Sequence, residues 1–147
     1  MLIVGSYACN FHNPKILNRE SKDVDVWGTR DEILDYVIGN EDFISSRYNG
    51  NTIFAKHREQ ITFEFKMEEK NNSSFKLYNE LKTNQIMDVF GREFQAVSIN
   101  SLMLIKKSHL YFPIKWEKSI EDYHKIKPFA SDIQEDEMEA YCQRVIE

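Results

Sequence analysis

The chain is poor in the residues that usually divide a protein into separate pieces. Among its 147 residues there are five glycines, three prolines and two cysteines. So few glycines and prolines leave little room for long linkers, and this length is typical of one domain. We therefore expect a single domain, with a strand-rich part over residues 1–97 and a helical part over 98–147. The cysteines lie near opposite ends with no partner spacing, which indicates reduced thiols in a cytoplasm and excludes a disulfide framework.

Two further absences narrow the function. No apolar run approaches the length of a membrane span, and the first residues lack a signal-peptide pattern, so no membrane partner is expected. Acidic residues outnumber lysine and arginine by 24 to 19, which gives a net charge of −5. General DNA binding is not expected, because the neutralisation of phosphates needs a basic surface. The same charge still allows a small phosphate ligand that is bound through a metal ion.

Hydrophobic periodicity predicts strands mainly in the first half of the chain. A clean alternation of apolar and polar residues over 61–67 indicates a half-buried strand, and a short polar turn separates it from a strand over 52–56, so the two should pair as a hairpin. Shorter apolar runs predict strands over residues 2–4, 23–27 and 94–97.

Helix signals complete the expected architecture. Thr29 and Glu32 have the spacing of a capping box ahead of an apolar stripe. Further helices are expected to begin near Ser74, Ser98, Pro113 and Ser131. Together the patterns predict a small α/β (α+β) domain, with a mixed sheet of about four to five strands, flanking helices and a helical C-terminal half.

Acidic residues on two predicted strands indicate a metal site. Asp23 and Asp25 would share one face of their strand, about 6.6 Å apart, while Val24 and Val26 enter the core. Two carboxylates on one face repel each other unless a cation lies between them, and Mg²⁺ prefers such oxygen ligands. Glu64 is the only acid on the polar face of its strand. If that strand neighbours the one with Asp23 and Asp25, the three carboxylates could hold two magnesium ions. The alternatives remain open: an exposed edge strand for the aspartates, and a lysine partner for Glu64.

Two other groups of residues could meet phosphates. Gly5 and Ser6 end a short apolar run, where a glycine lets backbone N–H groups turn toward a phosphate; an ordinary turn is the alternative. Basic side chains of the helical half could line one wall of the site if the two helices pack antiparallel, or they could be ordinary surface residues. These are Lys106, His109, Lys118 and His124.

These motifs resemble those of a known family. A Gly-Ser after a first strand, a D-x-D on the next and a third acid on a later strand resemble the nucleotidyltransferases of the polymerase-beta-like superfamily. The segments 105–111, 116–118 and 120–124 are similar to the helical segment of small nucleotidyltransferase-like proteins common in bacteriophages. One departure is the gap between the Gly-Ser and the D-x-D, which is longer than usual and requires the loop from about Asn10 to bulge out.

The resemblance implies a function for each motif. The Gly-Ser would hold the phosphates of a nucleoside triphosphate, the D-x-D pair would bind the metals, and the third acid would help to activate the acceptor. The expected reaction is transfer of a nucleoside monophosphate to an acceptor hydroxyl on a protein, an RNA or a small molecule, with two Mg²⁺ ions. For a phage-encoded protein the compartment would be the host cytoplasm.

Two other interpretations of the sequence remain open. Glu64 and Lys66 fit the E-x-K half of a metal-dependent nuclease site, for which Asp25 or Asp42 could be the upstream acid. The acidic run over residues 132–139 could instead make the chain a non-catalytic interaction protein that docks a basic partner.

Overall fold

The computed structural model of the protein describes residues 1–68, 85–110 and 117–130. The strands in these ranges are β1 (Leu2–Val4), β2 (Asp23–Gly28), β3 (Phe43–Asn49), β4 (Thr52–His57), β5 (Thr62–Met67), β6 (Ile86–Val89) and β7 (Arg92–Ala96). The helices are α1 (Gly5–His12), α2 (Arg30–Val37), α3 (Ile99–His109) and α4 (Glu117–Ile126), which is followed by a 3-10 turn, Lys127–Phe129. None of the helices within these ranges combines the length and apolar character that a membrane span requires.

The strands form one mixed sheet in the order β3-β4-β5-β2-β1-β7-β6. β2 lies at the centre, parallel to β5 on one side and antiparallel to β1 on the other, while β1 runs parallel to β7. The predicted α/β class with a mixed sheet is confirmed. The predicted strand number is wrong, because the described residues already form a sheet of seven strands rather than four to five.

The strands absent from the prediction lie at the two edges of the sheet. β3 is exposed at every residue except Phe43, so its sequence lacks the alternation that one buried face would impose. β6 has only four residues, and it joins β7 through Phe90 and Gly91, which both have positive φ angles of 51° and 83°. Two successive positive φ angles suit a tight hairpin turn, but a phenylalanine in the first position gives no sequence signal for one.

The predicted hairpin of β4 and β5 is confirmed, and its alternation separates the two faces of the sheet. Phe63 and Phe65 are fully buried, with ring centroids 6.4 and 5.8 Å from that of Tyr36 on α2. Helix α2 begins with the predicted capping box: Thr29 Oγ1 accepts from the Glu32 N–H, and Glu32 Oε1 accepts from the Thr29 N–H. On the opposite face, Glu64 points away from this aromatic core.

The helical half is confirmed over the residues that the structure describes. Ser98 caps α3, and α4 packs against α3, with the Lys107 ammonium 5.3 Å from the Tyr123 ring centroid. Apolar residues of both helices join the same buried core as the strands. The helices expected near Ser74 and Ser131, and the residues at 111–116, lie outside the described ranges.

One local prediction is corrected near the N-terminus. Gly5 and Ser6 do not form a turn that leads into a loop; they open α1, which continues to His12. The loop that was expected from Asn10 therefore begins at Asn13, where the backbone becomes extended. The apolar residues Ala8 and Cys9 of α1 are fully buried, which explains why this stretch is helical although its polar residues suggested a loop.

Candidate active site

A cavity of about 770 Å³ lies on the face of the sheet opposite α2. Its floor is formed by side chains of β2, β4 and β5, and its walls come from the start of α1, the loop before β2, and helices α3 and α4. Residues from all of the predicted groups line this cavity: Gly5, Ser6, Asp23, Asp25, Glu64, Lys106, His109 and Lys118. His124 is the exception, because it is exposed on α4 and does not line the cavity.

The two central acids form a pair across neighbouring strands. Asp25 of β2 and Glu64 of β5 are direct partners in the parallel register, and a hydrogen bond joins their carboxyl groups. Burial, this hydrogen bond and the charge of Glu64 raise the pKa of Asp25 to about 7. A proton held on Asp25 relieves the repulsion that two half-buried neighbouring carboxylates would otherwise suffer.

This pair fits the oxygen chemistry of a magnesium site. Asp25 and Glu64 would hold the ion through the hard oxygen ligands that Mg²⁺ prefers, and its positive charge would neutralise the pair. Asp23 lies two residue pairs further along the sheet, where it is exposed at the rim, and its charge also raises the pKa of Asp25. Within residues 1–68, 85–110 and 117–130, no three acidic, histidine or cysteine side chains are grouped closely enough to hold a metal ion.

Gly5 is required by the position of Asp25. The residue has a φ of +73°, which L side chains rarely adopt, and a Cβ built on it would overlap Oδ2 of Asp25 and lie 3.3 Å from its Cγ. Backbone and carboxylate can approach each other this closely only because the side chain is absent. The first turn of α1 is thus held directly against the acid pair.

Hydrogen bonds through the Ser6 side chain connect helix α1 to the start of β2. The Oγ of Ser6 lies 2.8 Å from Oγ of Ser21, and Ser21 in turn donates to the backbone oxygen of Asp23 at 2.8 Å. Because the Ser21 proton is used in that second bond, the Ser6 hydroxyl donates to Ser21. Ser6 therefore supports the D-x-D strand with its side chain, and its backbone N–H belongs to the first turn of α1.

An ion cluster on the cavity wall was not predicted from the sequence. Asp122 of α4 is 1% exposed and accepts two hydrogen bonds of 2.9 Å from the Arg19 guanidinium. Lys106 Nζ of α3 lies 3.5 Å from the same carboxylate. The hydrogen bond from Arg19 and the nearby positive charges outweigh burial and hold the pKa of Asp122 below its usual value. Two cations share one anion, so the cluster keeps a net positive charge toward the cavity.

A signal for part of this cluster exists in the sequence. Ser119, Asp122, Tyr123 and Ile126 are the buried residues of α4, and their spacing is that of one helix face. A carboxylate on such a face needs a buried partner, which marks Asp122 as unusual. No local pattern marks Arg19, because its partner lies 103 residues away along the chain.

The remaining basic residues have different electrostatic states. Burial, Lys106 and Lys66 lower the pKa of His109 to about 4, so its imidazole is neutral at pH 7. Its Nδ1 lies 3.3 Å from the Ser119 hydroxyl. His109 therefore adds polar contacts to the cavity but no charge. Lys66 of β5 and Lys118 of α4 also line the cavity, and lysine is a cationic residue type.

The structure also shows where some residues of the two alternative interpretations lie. Lys66 lines the cavity together with Glu64 and Asp25. Asp42 does not line it, and pairs instead with Arg58 at 3.2 Å, so Asp25 is the acid that could accompany the E-x-K residues. The acidic run over 132–139 lies outside the described ranges.

No family model, curated protein or solved structure matches the chain.

Proposed function

We propose that the protein transfers a nucleoside monophosphate from a nucleoside triphosphate to an acceptor hydroxyl. The observation that carries this proposal is the combination, in one cavity, of the paired acids Asp25 and Glu64 with a basic wall from the loop before β2 and the helical half. Paired carboxylates are suited to binding divalent cations, and lysine and arginine side chains are suited to binding phosphates. A nucleoside triphosphate with bound magnesium presents both groups side by side.

Cationic side chains and one helix N-terminus would bind the phosphates of the nucleotide. The guanidinium of Arg19 and the ammonium groups of Lys106 and Lys118 offer donors to the phosphate oxygens from the helical wall. The first turn of α1, which begins at Gly5, has no side chain capping its N–H groups and no acidic residue, so its partial positive charge adds to that wall.

Asp25 and Glu64 would hold the metal, with Asp23 at the rim of the same cavity. When bound, Mg²⁺ supplies charge neutralisation for the attacking oxygen and the leaving pyrophosphate. Glu64 would help to accept the proton of the acceptor hydroxyl. The acceptor oxygen forms a bond to the α-phosphorus, the bond from that phosphorus to the bridging oxygen breaks, and pyrophosphate leaves with the electron pair.

The test is magnesium-dependent binding of labelled nucleoside triphosphates, followed by release of pyrophosphate with protein, RNA and small-molecule acceptors. Asp25→Asn removes one negative charge but keeps the shape of the side chain, so it should abolish magnesium-dependent binding or transfer. Glu93→Gln makes the same chemical change on the exposed surface of β7 and should have no effect. The proposal fails if the triphosphates do not bind, or if both variants behave alike. Absence of binding would favour the non-catalytic interaction protein.

A second candidate function is metal-dependent hydrolysis of a nucleic acid. It is favoured by one observation: Lys66 shares the cavity with Asp25 and Glu64, as a nuclease site of the D…E-x-K type requires. The nuclease predicts Mg²⁺-dependent cleavage of DNA or RNA without added nucleotide, and its loss in Lys66→Met. The transferase predicts no cleavage under these conditions, so one gel assay separates the two.

A further inference from the structure

The floor of the cavity carries aromatic side chains that the acid pair and the basic wall do not use. Phe54 of β4 and Trp27 of β2 are both half-buried and both line the cavity. They lie on the same face of the sheet as Asp25 and Glu64, since alternate residues of each strand share a face. Large apolar rings left partly open inside a cavity are typical of ligand sites.

The strand register fixes how these rings are arranged around the acids. Phe54, Glu64 and Asp25 form one row across the sheet, because Phe54 pairs with Glu64 and Glu64 pairs with Asp25. Thr52, Lys66 and Trp27 form the next row by the same pairings. The two rings therefore stand at opposite corners of a small grid, with the acidic and basic side chains of β5 between them.

The ring of Phe54 is not explained by the packing of the core. The buried cluster under α2 is built from the alternate residues of β4, such as Ile53 and Ala55, and Phe54 is not part of it. The Arg47 guanidinium of the neighbouring strand lies 4.6 Å from the Phe54 ring centroid, while the ring also lines the cavity. Arg47 and Phe54 therefore form a cation–π pair at the edge of the cavity.

We propose that Trp27 and Phe54 form a subsite that stacks the base of the nucleotide, at the sheet end of the cavity. The inference rests on the proposed function for the identity of the ligand, because a nucleotide needs an apolar surface for its base beside a polar site for its phosphates. The cavity provides both: phosphate-binding cations at the helical wall and aromatic rings on the sheet floor. Lys66 and Thr52 lie beside the rings as donors for the polar edge of the base.

The experiment uses ribonucleosides, which carry a base but no phosphate, in buffer with EDTA. Each of the four common ribonucleosides is titrated while tryptophan fluorescence is recorded, and its affinity is measured by calorimetry. Comparison with Trp27→Phe isolates the signal of Trp27, because the chain has only two tryptophans. We expect at least one nucleoside to quench the fluorescence of Trp27, since bases stack on aromatic side chains.

Matched variants separate stacking from general damage. Trp27→Leu and Phe54→Leu should each weaken nucleoside binding about tenfold or more, while their affinity for inorganic triphosphate stays within twofold. Trp27→Phe and Phe54→Tyr keep a ring and should retain most of the affinity. Tyr48→Leu removes an exposed ring on β3, outside the cavity, and should change neither affinity.

The proposal is overturned if no nucleoside binds, if binding persists in both leucine variants, or if those variants lose triphosphate affinity equally. If a leucine variant does not fold, the quenching of Trp27 in the wild type and the ring-preserving variants decide the question. Failure of the proposed function has a different result. Nucleosides need neither metal nor Asp25, so an inactive protein that still stacks a base keeps the subsite and loses only the transfer reaction.

Discussion

The close contact between Gly5 and Asp25 can be tested with a matched pair of glycine substitutions. Gly5 and Gly39 have φ angles of 73° and 74°, but a Cβ on Gly39 would meet nothing within 4 Å. Gly39→Ala should therefore cost only the strain of a left-handed alanine, about 1–2 kcal/mol, less about 0.4–1 kcal/mol gained from the stiffer unfolded chain.

Gly5→Ala should cost more, because its Cβ also displaces the carboxylate of Asp25. The Asp25 side chain must move away from its hydrogen bond to Glu64, and overpacking of this kind costs about 1–3 kcal/mol. The expected difference between the two alanine variants is therefore about 1–3 kcal/mol in the free energy of unfolding. For a chain of this size each kcal/mol lowers the melting temperature by about 2–4 °C.

The assay is urea unfolding followed by circular dichroism, for both variants with and without Asp25→Ala. The Cβ of Asp25 would lie 3.5 Å from the new methyl group, an ordinary contact, so removing the carboxylate should relieve the extra cost. The double variant should thus be less destabilised than the sum of the single changes. Equal losses at Gly5 and Gly39, or an unchanged cost of Gly5→Ala in the Asp25→Ala protein, would refute the reasoning.

Three further outcomes are expected from the charges of the site. In EDTA the wild type should lose stability as pH rises from about 4 to 7, because the folded state raises the pKa of Asp25 from 3.8 to about 7 and so binds the proton more tightly than the unfolded chain. The free energy of unfolding should fall by about 4 kcal/mol at most, and this fall should be absent in Asp25→Asn. Urea unfolding of both proteins at each pH measures it. The same dependence of the free energy of unfolding on pH in both proteins would contradict the prediction. Asp122→Asn should destabilise the fold by about 2–3 kcal/mol, because it leaves the Arg19 guanidinium beside a neutral amide. Arg19→Lys should cost less, because it keeps a positive charge near Asp122. A melting temperature that Asp122→Asn leaves unchanged would exclude a stabilising role for this ion pair. The imidazole of His109 should stay neutral down to about pH 5 in an NMR titration, because its pKa in the folded state is lowered to about 4. Its contribution to stability is therefore present above pH 6.5 and is lost as the pH falls through 4. An NMR titration midpoint near pH 6.5 would be the contrary result.

The features that were predicted correctly are those whose physical cause is local. The alternation of β5 follows from one buried face, and the capping box of α2 satisfies N–H groups three residues apart. The D-x-D of β2 places two acids on one face by strand geometry alone, and that face does line the cavity.

The features that were missed depend on distant partners or on solvent. β3 is a strand because β4 pairs with it, although its own side chains are nearly all exposed. Gly5 opens a helix because Ala8 and Cys9 are buried by other parts of the fold. The Arg19–Asp122 pair joins segments 103 residues apart, so neither residue is identifiable from its neighbours.

This long-range pair has a consequence for the order in which the protein is made. A contact between residues so far apart closes a large loop, and the entropy of loop closure delays such contacts during folding. The acids on β2 and β5 and the Arg19 guanidinium all come from residues up to Glu64, whereas the Asp122 carboxylate that pairs with Arg19 is made much later. Until α4 is made, Arg19 lacks the carboxylate that accepts both of its guanidinium hydrogen bonds. The wall of the cavity is therefore completed as one of the last steps of folding, when α4 packs against α3.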